Sequence, residues 1–176
     1  LLRILSGNYR SFKGSLSINN IPIQNYQLES LRSTLGVYLQ QQDIFKGTVL
    51  ENISMGRKDI SVETISDLSE KLGIGNFIKS LEKGFETEID SSGKKLSSSI
   101  IKKILLLRCL SNNPQLLLLD DPFMGLDSLE IDLLQKYFLN REFKRTILII
   151  TQIESFAKKC DYIFTIKNNQ IIVTKN

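Results

Sequence analysis

The chain contains no histidine, only two cysteines and only three prolines in 176 residues. Without histidine there is no Ser-His-Asp triad and no imidazole-ligated zinc. Cys109 and Cys160 have no metal-ligand spacing and read as small buried hydrophobes of a reducing compartment. Long apolar runs are missing too. The strongest, Ile104 to Leu107 and Leu116 to Leu119, fall far short of the roughly 20 residues that cross a bilayer. Internal repeats and low-complexity tracts are absent, and no G-x-x-x-x-G-K-[ST] phosphate loop occurs.

What is present suits one globular domain with a respectable core: 41% hydrophobic and 24% charged residues. The net charge is +4, but Lys102, Lys103, Lys144, Arg145, Lys158 and Lys159 are scattered pairs. They read as solvated helix faces, with no aromatic-interleaved basic patch, so no nucleic-acid partner is expected.

Residues Leu1, Leu2, Ile4 and Leu5 sit at helical spacing, with Gly7 as a C-cap. The pattern begins inside this helix, which leads us to expect a piece of something longer. "GSLSINNIPIQNY" alternates around Asn19-Asn20 and predicts a hairpin. "LESLRSTLG" predicts a short helix and "LGVYLQQQ" a short strand ending in polar residues. Val62 to Ser80 predicts an amphipathic helix broken by Gly73 and Gly75, and Ile100 to Leu110 a strongly apolar one. Glu51 and Asn52 are expected to cap and solvate. Leu116 to Leu119, bounded by Pro114 and Asp120, predicts a buried strand, and Leu129 to Phe138 a helix. "RTILIITQ" predicts a second buried strand, and "YIFTIKNNQIIVTK" a terminal hairpin turning at Asn168-Asn169.

Buried strands alternating with helices predict an α/β fold with a parallel sheet, whose chemistry gathers at the carboxyl ends of its strands. Three such ends carry polar residues: Gln40 to Gln42, Asp120-Asp121 and Thr151-Gln152. An aspartate there can hold Mg²⁺, and a second carboxylate can orient and polarise an attacking water. Two acids after a strand can equally be the cap of the next helix.

Five ordered segments discriminate between these. "LLRILSGNYRSFKGSLSINNIPIQNYQLESLR", "LGVYLQQQDIFKGTVLENI", "GFETEIDSSGKKLSSSIIKKILLLRCL", "PQLLLLDDPFMGLD" and "TILIITQ" resemble, in order, parts of one family's domain. That domain is the nucleotide-binding domain of ATP-binding cassette (ABC) transporters of the exporter type. The resemblance implies a P-loop NTPase-like parallel core over 1–40 and 110–176. It also implies an antiparallel hairpin region and an inserted helical subdomain over about 41–109 that carries the signature region, all within a single domain over 1–176 whose N-terminal part is missing.

By the same resemblance the cofactors are ATP and Mg²⁺. The partners are the transporter's transmembrane domains and a second nucleotide-binding domain, and the location is the cytoplasmic face of the membrane. Gln40 matches the Q-loop glutamine that reaches Mg²⁺ and the lytic water, aligned by its distance to Phe45; Gln41 and Gln42 are its register competitors. Asp120 matches the Walker B aspartate that holds Mg²⁺ through water. Asp121 stands at the catalytic base, Gln152 at the switch residue, Ser97 at the signature serine and Asp127 at the D-loop aspartate. The sequence departs from the family in four places. The phosphate loop is absent, Leu96 to Ile100 read LSSSI where the family has LSGGQ, Asp121 replaces glutamate, and Gln152 replaces histidine. The resemblance therefore implies an ATP-hydrolysing motor domain. The alternative is a catalytically weak or silent cassette serving as a structural or regulatory partner in an asymmetric pair.

Overall fold

The computed structural model describes residues 1–9, 11–90, 96–168 and 170–176. In chain order the elements are α1 (Leu2–Leu5), β1 (Ser17–Ile18), β2 (Ile21–Pro22), α2 (Leu28–Thr34), β3 (Leu35–Tyr38), β4 (Gly47–Thr48), α3 (Val49–Ser54), α4 (Val62–Lys71), α5 (Gly75–Ser80) and β5 (Glu88–Ile89). There follow α6 (Ser98–Leu110), β6 (Leu116–Asp120), α7 (Ser128–Leu139), β7 (Thr146–Ile150), α8 (Glu154–Ala157), β8 (Tyr162–Lys167) and β9 (Gln170–Lys175).

The apolar run Leu117 to Leu119 becomes the middle strand of a three-stranded parallel sheet ordered β3-β6-β7. All three leucines are fully buried, as a strand covered on both faces requires. Alternation sends Leu117 and Leu119 to one face, into a cluster with Tyr38, Ile53, Ile104 and Leu134. Leu118 points the other way, to Leu2, Leu5, Leu31 and Leu35. Helix α6 covers the first face so closely that a Cβ on Gly36 would lie 2.5 Å from the Cys109 carbonyl. Only glycine fits in β3 at that crossing.

Both hairpins form where expected. Asn19 and Asn20 take φ of 49° and 63°, the pair of left-handed residues that a two-residue turn needs. In the β8–β9 pair Asn168 is also left-handed, while Asn169 lies outside the described residues. Gly73, at φ 67°, ends α4 and separates it from α5.

Other expectations shift. Strand β3 stops at Tyr38, because Gln42 returns to bond the Leu39 N–H and the Val37 carbonyl and turns the chain there. Strand β7 is not fully buried: Thr146 and Ile150 are exposed, and among the described residues its second edge carries no strand. Glu51 caps α3 in a reciprocal box with Thr48, but Asn52 is fully buried rather than solvated. Lys103, expected on a solvated face, is only 4% exposed. No helix among the described residues is long and apolar enough to cross a membrane.

Candidate functional site

Because β3, β6 and β7 run parallel, their carboxyl ends share one edge of the sheet. Asp120 is the last residue of β6 and is half-buried beside Ile150 of β7. The next amide, Asp121 N–H, donates to the Ile150 carbonyl at 2.9 Å, and the chain then leaves the sheet with Asp121 at φ 48°. Few side chains accept this left-handed region, and aspartate is among the tolerant ones. The physical preference for a short acid at this position is therefore local.

Asp121 opens into a cleft of about 160 Å³ whose other walls include Gln40, Tyr38, Ser98, Lys102 and Met124. Partial burial raises the Asp121 carboxyl above its ordinary range, the neighbouring Asp120 charge adds to this, and Lys102 opposes it. Burial, with the Asp121, Cys109 and Asp120 charges, pushes the Tyr38 phenol up to about 12, so it remains a hydrogen-bond donor at neutral pH.

The three glutamines of the β3 turn separate by their partners. Gln41 accepts from the Arg3 guanidinium at 2.5 Å, and Gln42 is held by backbone groups of Val37 and Leu39. Gln40 and Gln42 both line the cleft with Asp121, and of the two Gln40 is the exposed one.

Asp120, Gln152, Ser97 and Asp127 do not line this cleft. Gln152 lies exposed just beyond β7. Ser97 caps α6, its Oγ accepting from the Ile100 N–H at 3.2 Å. Asp127 caps α7, its Oδ1 accepting from the Glu130 N–H at 2.9 Å while Glu130 Oε2 accepts from the Asp127 N–H at 3.0 Å.

Near the site, Tyr38 and Glu130 were not singled out from the sequence, Ser99 stood out only as a replacement of a signature glycine, and Lys102 only as a solvated charge. Lys102 Nζ donates to the Met124 carbonyl, while Ser99 and Lys103 both reach Glu130. The acid three places after Asp127 was a visible capping signal for Glu130; nothing comparable marked Tyr38.

No cluster of three or more metal-ligating acids, histidines or cysteines exists among the described residues. The adjacent carboxylates Asp120 and Asp121 are hard oxygen donors. As hard oxygen donors they would suit Mg²⁺ rather than a soft metal, and two carboxylates are too few to cage a cation by themselves.

The family model described as ABC transporter matches residues 1–124. A probable ABC transporter ATP-binding/permease protein of Haemophilus influenzae is 32% identical over 171 residues, covering 97% of this chain and 31% of that protein. Multidrug resistance protein pgp-1 of Caenorhabditis elegans is 30% identical over 172 residues, covering 98% of this chain and 13% of that protein. The solved structure of a bacterial Atm1-family ABC exporter with ATP bound superposes with a TM-score of 0.87 at 26% identity, covering 97% of this chain and 30% of that one. The chain thus spans about a third or less of these relatives. From the family model over residues 1–124 and relatives that align along nearly its whole length, the chain belongs to the ABC transporter family.

Proposed function

We propose that this chain is part of the ATP-binding and ATP-hydrolysing cassette of a membrane exporter. It would work as one domain at the cytoplasmic face, against transmembrane domains and a second cassette, and couple cassette closure to transport. The observation that carries this reading is the meeting of Gln40 and Asp121 in one cleft, directly after Asp120 at the end of the central strand. Resemblance matched Gln40 and Asp121 one by one, and their place in one cleft supports the assignment.

Asp120 would hold Mg²⁺ through water, and Gln40 would reach the same ion and orient the attacking water. When bound, Mg²⁺-ATP supplies a γ-phosphoryl group whose charge is partly neutralised. Asp121 would take a proton from the water. Its carboxyl lies above the ordinary aspartate range, which makes it a stronger base than an exposed aspartate. Gln152 can hydrogen-bond on the β7 side but carries no positive charge. Ser97 and Asp127 would face the second cassette. Residues that cradle the phosphates in a G-x-x-x-x-G-K-[ST] loop are not among the 176.

The Gln40 assignment is tested by phosphate release from a polypeptide in which this chain follows an intact phosphate loop. Gln40→Ala should lower turnover, while Gln41→Ala, which loses only the contact to Arg3, should leave it near the parent value. The reverse pattern would overturn the assignment.

A further inference from the structure

Three residues of α6, Ser99, Lys102 and Lys103, are spaced so that they share one helix face. Each is bound to the stretch between Asp121 and Glu130. Ser99 Oγ donates to Glu130 Oε1 at 2.5 Å, and Lys103 Nζ reaches the same oxygen at 2.7 Å. Lys103 also donates to the Gly73 carbonyl at 3.2 Å, tying in the α4–α5 connection. Lys102 Nζ donates to the Met124 carbonyl, at the other end of the turn. The remaining Glu130 oxygen accepts from the Asp127 N–H at 3.0 Å.

We propose that Ser99, Lys102 and Lys103 form a three-point clamp by which α6 sets the position of the turn carrying Asp121 and Asp127. Ser99 and Lys103 are its positioning residues, acting through Glu130. This goes beyond the ATPase reading and stands without it, because every contact lies within the chain.

The clamp has the attributes of a specified contact. The Lys103 and Glu130 side chains are 5% and 17% exposed, so their bond is charge-assisted and largely out of water. A buried ion pair is a poor source of net stability compared with apolar packing, but it is demanding in geometry. Gly125, at φ 72°, belongs to the same fit: a Cβ there would lie 2.7 Å from Lys102 Nζ. Ser99 is also one of the two serines that stand where the family's signature has glycine. A glycine has no hydroxyl to give Glu130. The serine therefore has a role inside its own chain, whatever its effect on the segment's approach to a nucleotide.

The test is amide hydrogen exchange on the full 176-residue chain. Ser99→Ala should speed exchange of the Asp127 and Glu130 amides by about tenfold, the scale of one charge-assisted hydrogen bond. Amides in the buried turn of α6 from Ile104 to Leu107 should not change. Ser99→Thr, which keeps the hydroxyl, should restore parental rates, and Lys103→Met should release the same amides. Unchanged exchange of the Asp127 and Glu130 amides in Ser99→Ala, a uniform increase along the chain, or failure of Ser99→Thr to restore would overturn the proposal.

Discussion

The backbone N–H of Asp121 bonds to the carbonyl of Ile150 at 2.9 Å, one residue past the last paired position of β6 and β7. The sheet holds the backbone of the candidate base after the strand has ended. It does so with φ at 48°, a conformation that costs about 1 kcal/mol or more for a residue with a Cβ. Glycine pays no such strain. Asp121→Gly should therefore change stability by no more than about 0.5 kcal/mol in urea unfolding, because the released strain and the added freedom of the unfolded chain nearly cancel. A loss of more than about 1 kcal/mol would mean that the carboxylate's contacts outweigh the strain.

Glu130 should make stability depend on acid. Burial by itself raises its carboxyl, but hydrogen bonds from Lys103, Ser99 and the Asp127 backbone, with the Lys103 charge, bring it down to about 2. A carboxylate depressed in the folded state contributes stability that is complete above its unfolded value of 4.5 and is lost as pH falls toward 2. Melting temperature followed over that window should fall in the parent and fall less steeply in Glu130→Gln. At neutral pH the same substitution should cost about 3 kcal/mol, because it leaves Lys103 buried without its counter-charge.

Asn52 should be as important to the segment after β3. Its amide accepts from the Phe45 N–H at 2.9 Å and donates to the carbonyls of Phe45 and Thr48 at 2.9 and 3.0 Å. Arg108 adds bonds to its backbone and side chain at 2.7 and 3.3 Å. Asn52→Ala leaves several buried groups without partners, which should lower stability by about 2–4 kcal/mol in thermal or urea unfolding. A change under about 1 kcal/mol would show that water enters and replaces the amide.

The parts of this molecule legible in the sequence are those governed by neighbours along the chain. The leucines ending at Asp120 announced a buried strand, and paired asparagines announced the first turn. Polar residues after β3 and β6 marked the sheet edge where the candidate cleft lies. The parts that were not legible depend on partners far away in sequence. Asn52 looked like a solvated helix residue because its partner Arg108 is 56 positions on. Lys103 looked like surface charge because Gly73 is 30 positions back. Ser99 and Glu130 are 31 positions apart, and only folding brings them together. Periodicity reports which face a residue occupies, and it cannot report what that face meets. In the sequence the glutamine register rested on distance to Phe45 alone, with Gln41 and Gln42 as competitors. The bonds of Gln41 and Gln42 now supply a physical reason why those two are less available than Gln40.

The most direct measurement is Mg²⁺-dependent ATP turnover by a polypeptide that joins this chain to an intact phosphate loop, compared with its Asp121→Asn form. The substitution keeps the shape and suits the left-handed backbone, so it removes little besides the charge. Parent turnover above background, falling by about 100-fold or more in the variant with ATP binding retained, is the expected result. Turnover that is at background in the parent, or unchanged by Asp121→Asn, would contradict an ATPase that works through Asp121.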